Sequence, residues 1–235
     1  MTSAPTANAI LSIDTSLGTA VSLIDVDGVV RAVVAADNPL GHAEVIGTLL
    51  QQALAAASAH PADIAYVAAG MGPGPFTGLR VGIAAARAFA QGRGIPLVPV
   101  VSHDAIALEV LLAALLAEHP DAVGTDGGTD AATERFAVVT DARRREFAYS
   151  VYDGLDDDGL PIRTFGPALI ARDAMDERLA ELRARRHDAT SVPGVMVALA
   201  AARALAAGRV IGPDDALYLR SPDVTMSAGP KRVTA

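Results

Sequence analysis

An aspartate that closes an apolar run and leads into a turn of hydroxyl residues and glycine can hold Mg²⁺ and offer turn N–H groups to phosphate. Asp14-Thr15-Ser16-Leu17-Gly18-Thr19 has that form. It is also what an Asp and a Ser need to close a turn through their own side chains, and that simpler reading is preferred on the motif alone. Gly70-Met71-Gly72-Pro73-Gly74-Pro75-Phe76-Thr77-Gly78 joins an apolar run to a helical pattern, where anions are favoured. No Gly-Lys-Ser/Thr follows, so it is not a P-loop. Pro73 and Pro75 delete two N–H donors that a phosphate cradle would use. A rigid structural turn is the expectation. The histidines are His42, His60, His103, His119 and His187, and no two have helical ligand spacing. A histidine metal site is therefore not expected. Arg143-Arg144-Arg145 reads as a solvated turn, with a small-anion or RNA contact as the alternative.

The elements that must hold these residues can be read from the punctuation. Strands are expected at Ala9–Asp14, Thr19–Val26 and Val29–Ala35, with Asp27-Gly28 as a hairpin turn. Pro39-Leu40-Gly41 breaks the chain before a helix over His42–Ser58. A strand at Ile64–Gly70, a helix over Thr77–Gln91 and a strand at Pro96–Val101 complete the first half. The second half opens with a helix over His103–Glu118 and a loop-like stretch, Gly124–Thr133. Strands at Phe136–Asp141 and Glu146–Asp153 follow, then helices over Arg172–Arg186 and Val195–Ala207. Both halves contain an apolar strand ending in Asp, a polar turn and a second strand, which points to duplication of a half-unit. Three strands in hairpin order followed by alternating helix and strand give a mixed sheet with helices on its faces.

The two helices of the first half are unusually apolar around their circumference. With residues about 100° apart, the helix from Thr77 keeps Arg80, Arg87 and Gln91 in one narrow sector. Nearly everything else is apolar or glycine, roughly twice the ~100° stripe needed to lie on one sheet. Two separate surfaces are therefore covered, either a partner or the neighbouring helix of the same chain.

Composition narrows the function. The chain has 235 residues, 51% of them hydrophobic, and a net charge of −8 from 27 acidic and 19 basic residues. So acidic a chain is a poor nucleic-acid binder through phosphate contacts alone. It has no Cys, which excludes disulfides, thiolate metal sites and a Cys nucleophile. It has no Trp and few other aromatics for base stacking. No signal peptide or membrane span is expected.

Ile13-Asp14-Thr15-Ser16, Gly72-Pro73-Gly74-Pro75-Phe76-Thr77-Gly78-Leu79-Arg80, Asp141-Ala142-Arg143 and Leu217-Tyr218-Leu219-Arg220 occur in this order. From Ile10 to Arg220 the chain resembles the bacterial TsaB (YeaZ) family of tRNA threonylcarbamoyladenosine biosynthesis proteins. The glycine-proline segment is the specific part of the match, although Pro75 stands where that family usually has Ser. The Asp-Thr-Ser turn is shared with the wider actin-like ATPase superfamily. The resemblance implies an α/β fold of two actin-like (ribonuclease H-like) subdomains, each a mixed sheet with flanking helices. They would span residues 1–103 and 104–220, followed by a flexible tail, 221–235.

The resemblance also implies a cytoplasmic, non-catalytic scaffold. Its complex forms N6-threonylcarbamoyladenosine at position 37 of tRNAs reading codons that begin with A. The implied partners are the catalytic subunit TsaD and the ATPase TsaE, which handles ATP. No cofactor or metal of its own and no membrane contact are expected, tRNA is met only through the complex, and the chain forms a homodimer when TsaD is absent. TsaD carries a His-x-x-x-His metal motif, which this sequence lacks. The family's TsaD contact lies on the first two helices. Here that implies Val45, Ile46, Leu49, Leu50, Ala53, Gly78, Val81, Gly82, Ala85 and Phe89. Asp14, Ser16, Gly18 and Asp141 would be left as a vestigial nucleotide site. The rival reading is an actin-like ATPase or small-molecule kinase that uses Asp14 and Asp141 around Mg-nucleotide. A metallopeptidase lacks ligands.

Overall fold

Six consecutive buried residues, Ala9–Asp14 (β1), form the centre of the protein. Ala9, Leu11 and Ile13 face one core cluster, while Ile10 faces another. A strand covered on both faces reads as a near-continuous apolar run. Ser12 interrupts the run, and its hydroxyl donates to the Gly194 carbonyl at 2.8 Å. The computed structural model describes residues 7–36, 41–118 and 134–220. The expected break at Pro39-Leu40, the loop at Gly124–Thr133 and the tail from Ser221 lie outside them.

β2 (Thr19–Asp25) pairs antiparallel with β1, and β3 (Val30–Ala36) pairs antiparallel with β2. β4 (Ile64–Gly70) lies parallel to β1 on its other side, and β5 (Leu97–Val100) parallel to β4. The order is β3-β2-β1-β4-β5. α1 (His42–Ala56) and α2 (Phe76–Arg93) cover one face. α3 (Ser102–Glu118) leads to a second sheet of β6 (Phe136–Asp141), β7 (Glu146–Leu155), β8 (Pro161–Ala171) and β9 (Arg185–Asp188). Its order is β8-β7-β6-β9, and α4 (Met175–Leu182) packs on one face. α5 (Gly194–Ala206) returns to the first sheet and covers the face opposite α1 and α2. Division of the chain near residue 103 therefore separates the sheets but not the helices that cover them.

The expected α/β architecture of two mixed sheets with flanking helices is present, and the duplication is geometric. β1 lies antiparallel to β2 and parallel to β4, as β6 lies antiparallel to β7 and parallel to β9. The helix expected over Arg172–Arg186 is shorter. A 3₁₀ turn at Arg172–Ala174 precedes α4, which stops where Arg183 enters the left-handed region at φ 51°. The chain then becomes β9, a polar edge strand. No described helix is long and apolar enough to cross a membrane.

Candidate functional site

A cleft of about 560 Å³ opens between the two sheets. One wall is Leu17, the first turn of α1 from His42 to Glu44, and the loop and helix start from Pro73 to Gly78. The other wall is the β6–β7 turn from Thr140 to Arg144, with Leu169. Tyr218, Leu219 and Arg220 reach its mouth.

Asp14 lies beneath the cleft and is 1% exposed. Ser102 Oγ donates to Asp14 Oδ2 at 2.5 Å, and the Ser16 N–H donates to Oδ1 at 2.7 Å. Ser102 in turn accepts from the Gly72 N–H at 3.1 Å. Burial pushes the Asp14 carboxyl up, while the bonds from Ser102 and Ser16 and the nearby His42 pull it down. Both carboxylate oxygens are thus engaged inside the chain.

The glycines of the glycine-proline segment explain why this turn fits where it does. A methyl group on Gly70 would overlap the Asp14 carboxylate. One on Gly74 would lie 2.8 Å from Ser16 Cα. On Gly78 it would lie 2.9 Å from the Thr15 carbonyl oxygen and 3.0 Å from His42 Nε2, and on Gly82 it would overlap the Thr15 hydroxyl. Four glycines at four-residue spacing therefore let β4, the loop and α2 close onto one β-turn. Thr15 Oγ1 donates to the Gly78 carbonyl at 2.7 Å and locks the contact. The segment acts structurally as a cradle for Asp14-Thr15-Ser16.

Asp141, the counterpart of Asp14, has a side chain 60% exposed. Its Oδ1 accepts from the Arg143 N–H at 2.8 Å and from Arg172 Nη2 at 2.6 Å. The Arg143 N–H bond, then Arg172, holds the carboxyl below the usual range. Arg143, Arg144 and Arg145 all occupy the left-handed region, at φ 62°, 50° and 63°. Such positions are costly for side chains other than glycine, so the second turn keeps the aspartate of the first but not its small residues. Of the expected nucleotide-site residues, the structure brings Asp141 to the cleft and keeps Asp14 and Ser16 beneath it, and Gly18 is buried. Among the described residues, no group of three or more His, Asp or Glu could hold a metal ion.

The helix expected from His103 starts at Ser102, and the polar residues of its first turn were not among the expected site residues. Ser102, His103 and Asp104 are consecutive but face different neighbours, so they form no catalytic triad. Ser102 reaches Asp14 under the first sheet. His103 bridges Ser150 Oγ at 2.9 Å and Thr140 Oγ1 at 3.0 Å in the second. Asp104 accepts from the Tyr152 hydroxyl at 2.7 Å and faces Arg163 at 3.5 Å. Three adjacent polar residues before an Ala/Leu-rich helix were the available signal.

Burial, then Arg163, lowers the His103 ring to about 3, and burial raises Asp104 to about 6 against Arg163 and Tyr152. Between about 3 and 6.5 the unfolded chain protonates His103 while the folded chain does not, so this term weakens the fold as pH falls. Asp104 acts oppositely. Between 3.8 and about 6 the folded chain keeps a proton that the unfolded chain has released, so stability falls as pH rises. Asp104→Asn should leave His103 unopposed and steepen the loss of stability on acidification, by at most ~1.4 kcal/mol per pH unit. Urea unfolding across that window checks this, and an unchanged pH slope in the variant contradicts it.

The first two helices require a correction. Ile46, Leu49 and Ala53 are buried against the first sheet, and Gly78 and Gly82 under the β1–β2 turn. None of these can be an open contact surface. Val45, Leu50, Val81, Ala85 and Phe89 are half-buried and pack on the same core. The wide apolar arcs are thus spent largely on the sheet, the turn and each other. What faces outward on α1 is Ala43, Glu44, Gly47, Thr48, Gln51, Gln52, Ala55 and Ala56.

Comparison with known proteins places these features. Residues 28–156 match the family model TsaD: tRNA N6-adenosine threonylcarbamoyltransferase. An uncharacterized protein of Mycobacterium bovis is 40% identical over 136 residues, 57% of this chain and 51% of that one. The chain thus spans about half the length of such curated relatives. A Streptococcus pneumoniae tRNA N6-adenosine threonylcarbamoyltransferase is 48% identical over 59 residues, 25% of this chain and 18% of that one. Among solved structures, YeaZ from Pseudomonas aeruginosa superposes with a TM-score of 0.63 at 19% identity, covering 87% of this chain and 95% of that one. An uncharacterized protein with similarity to peptidase YeaZ from the same organism gives 0.68 at 20% identity, covering 91% and 100%. These structures share the fold.

Proposed function

Since the chain belongs to the TsaD (tRNA N6-adenosine threonylcarbamoyltransferase) family, we propose that it serves tRNA modification as a non-catalytic scaffold subunit. In this reading it docks a catalytic TsaD on the outward side of α1 and α2, and TsaE supplies ATP hydrolysis. tRNA is met through the assembly. Without TsaD, the same side pairs with a second copy of the chain.

One observation carries the docking surface. Gly47 sits in the middle of α1, exposed, and a methyl group added there would meet nothing within 4 Å. Glycine in a helix interior costs ~1 kcal/mol relative to alanine, and no contact within the described chain requires it. The side chains around it are small or amide, and Glu44 is the one charge on the outward face of α1. A face with so little charge, at a point where a backbone can approach closely, suits a packed helix.

The engaged state of Asp14 supports the non-catalytic part. The rival ATPase or kinase needs that carboxylate to reach Mg-nucleotide, yet it is held by Ser16 and Ser102. The purified chain should therefore turn over no ATP. Hydrolysis near ~1 s⁻¹ that disappears in Asp14→Ala would overturn the scaffold reading. Co-purification with TsaD, followed by a tRNA-modification assay omitting each component in turn, tests the assembly.

A further inference from the structure

We propose that the irregular segment from Val210 to Arg220 is a latch that joins the two sheets across the mouth of the cleft and sets how far it opens. This rests on the fold alone and does not depend on which partner the chain serves.

The segment is fastened firmly to the first sheet. A methyl group on Gly212 would lie 2.5 Å from the Pro99 carbonyl oxygen, so the backbone runs tight against β5. Arg87 Nη2 donates to the Asp214 carbonyl. The Leu217 N–H donates to the Met71 carbonyl at 2.8 Å. Tyr218 closes on α2, its ring 4.7 Å from that of Phe76 and its hydroxyl accepting from Arg80 Nε at 3.3 Å. The Arg80 guanidinium caps the other ring, 3.9 Å from the Phe76 centroid.

The fastening to the second sheet is of a different kind. Arg220 pairs with Glu146 at the start of β7, and the two side chains are 31% and 34% exposed. An ion pair this exposed is weak and salt-sensitive. Deeper in the molecule the sheets share one buried cluster, in which Ile10, Ala68 and Val98 of the first are joined with Phe136, Val138 and Tyr152 of the second. There the buried His103 ties α3 to β6 and β7. A deep hinge on one side and a weak clasp across the mouth make a device that opens at the clasp. Opening there uncovers Leu17, Phe76 and Leu169 of the cleft.

The chain has no cysteine, so two introduced thiols report the distance across the cleft without interference. Spin labels at Ala43→Cys on α1 and Glu177→Cys on α4 in the full chain are suitable, since both positions are exposed, with the labelled chain diluted into excess unlabelled chain so that distances between paired copies do not contribute. At low salt a single narrow distance distribution is expected. Glu146→Gln, or ~1 M salt, should add a longer population, raising the open-to-closed ratio up to about five-fold. The exchange Glu146→Arg with Arg220→Glu should restore the narrow distribution, which general destabilisation would not allow. Circular dichroism confirms that each variant is folded. Identical distributions in wild type and Glu146→Gln at both salt levels, or a swap that fails to restore the narrow one, would overturn the latch.

Discussion

Leucine at position 82 should take most of the stability out of the folded chain. A single methyl group there already overlaps the Thr15 hydroxyl, and leucine adds three more carbons. The neighbour is not a flexible side-chain end. Thr15 is 1% exposed and its hydroxyl is bonded to the Gly78 carbonyl at 2.7 Å. Relief requires α2 to lift from the turn or the turn to move. Either breaks that hydrogen bond, worth ~1 kcal/mol, and disturbs the Asp14–Ser102 contact beneath it. Overpacking itself costs ~1–3 kcal/mol, so a total near ~4 kcal/mol is expected, a large share of the ~5–15 kcal/mol a domain has. Urea unfolding of Gly82→Leu should show a greatly lowered midpoint. Gly82→Ala should be milder, and Thr15→Ala should recover part of its loss by removing the atoms in the way. A wild-type midpoint for Gly82→Leu would mean that α2 does not sit on the turn.

Such a loss places Gly82 inside the chain and not on the partner contact that the resemblance implied, for a physical reason. Periodicity shows which side of a helix is apolar but not how many neighbours cover it. The arc of α2 is wide because it serves β4, the β1–β2 turn and α1 together, so the contact implied by the resemblance could take in Gly78 and Gly82. Much else was legible. The buried run Ala9–Asp14, the Asp27-Gly28 hairpin and the glycine-proline turn each state their structure locally. β8 was hidden because Pro161, Gly166 and Pro167 contradict a strand, as an edge position allows. β9, Arg-Arg-His-Asp, carries no alternation at all. Both could have been found through the duplication, since β3 and β4 demand counterparts on either side of β7 and β6. The contacts of Asp14 with Ser102, and of Arg220 with Glu146, join residues far apart in sequence, and no local pattern encodes them.

Leucine at position 47 should do the opposite of leucine at position 82. The site is open in the chain by itself, so nothing needs to move. Replacing glycine inside a helix should raise helix stability by up to ~1 kcal/mol, and the thermal midpoint should stay level or rise. The cost falls on whatever packs there. Helices that meet at a glycine can approach to the short end of the ~8–10 Å interaxial range, and a leucine at the crossing holds them apart. Binding to TsaD should weaken about a hundredfold, which at ~1.4 kcal/mol per tenfold is ~2.8 kcal/mol. Reconstituted tRNA modification should fall with it. Gly47→Ala, with one methyl group, should lie between the two, so side-chain size is the variable being read. Sedimentation of the isolated chain should move toward monomer in Gly47→Leu if the same face pairs two copies. Calorimetric titration decides the main point: Gly47→Leu binding TsaD as tightly as wild type would remove α1 from the interface, whatever the oligomeric state shows.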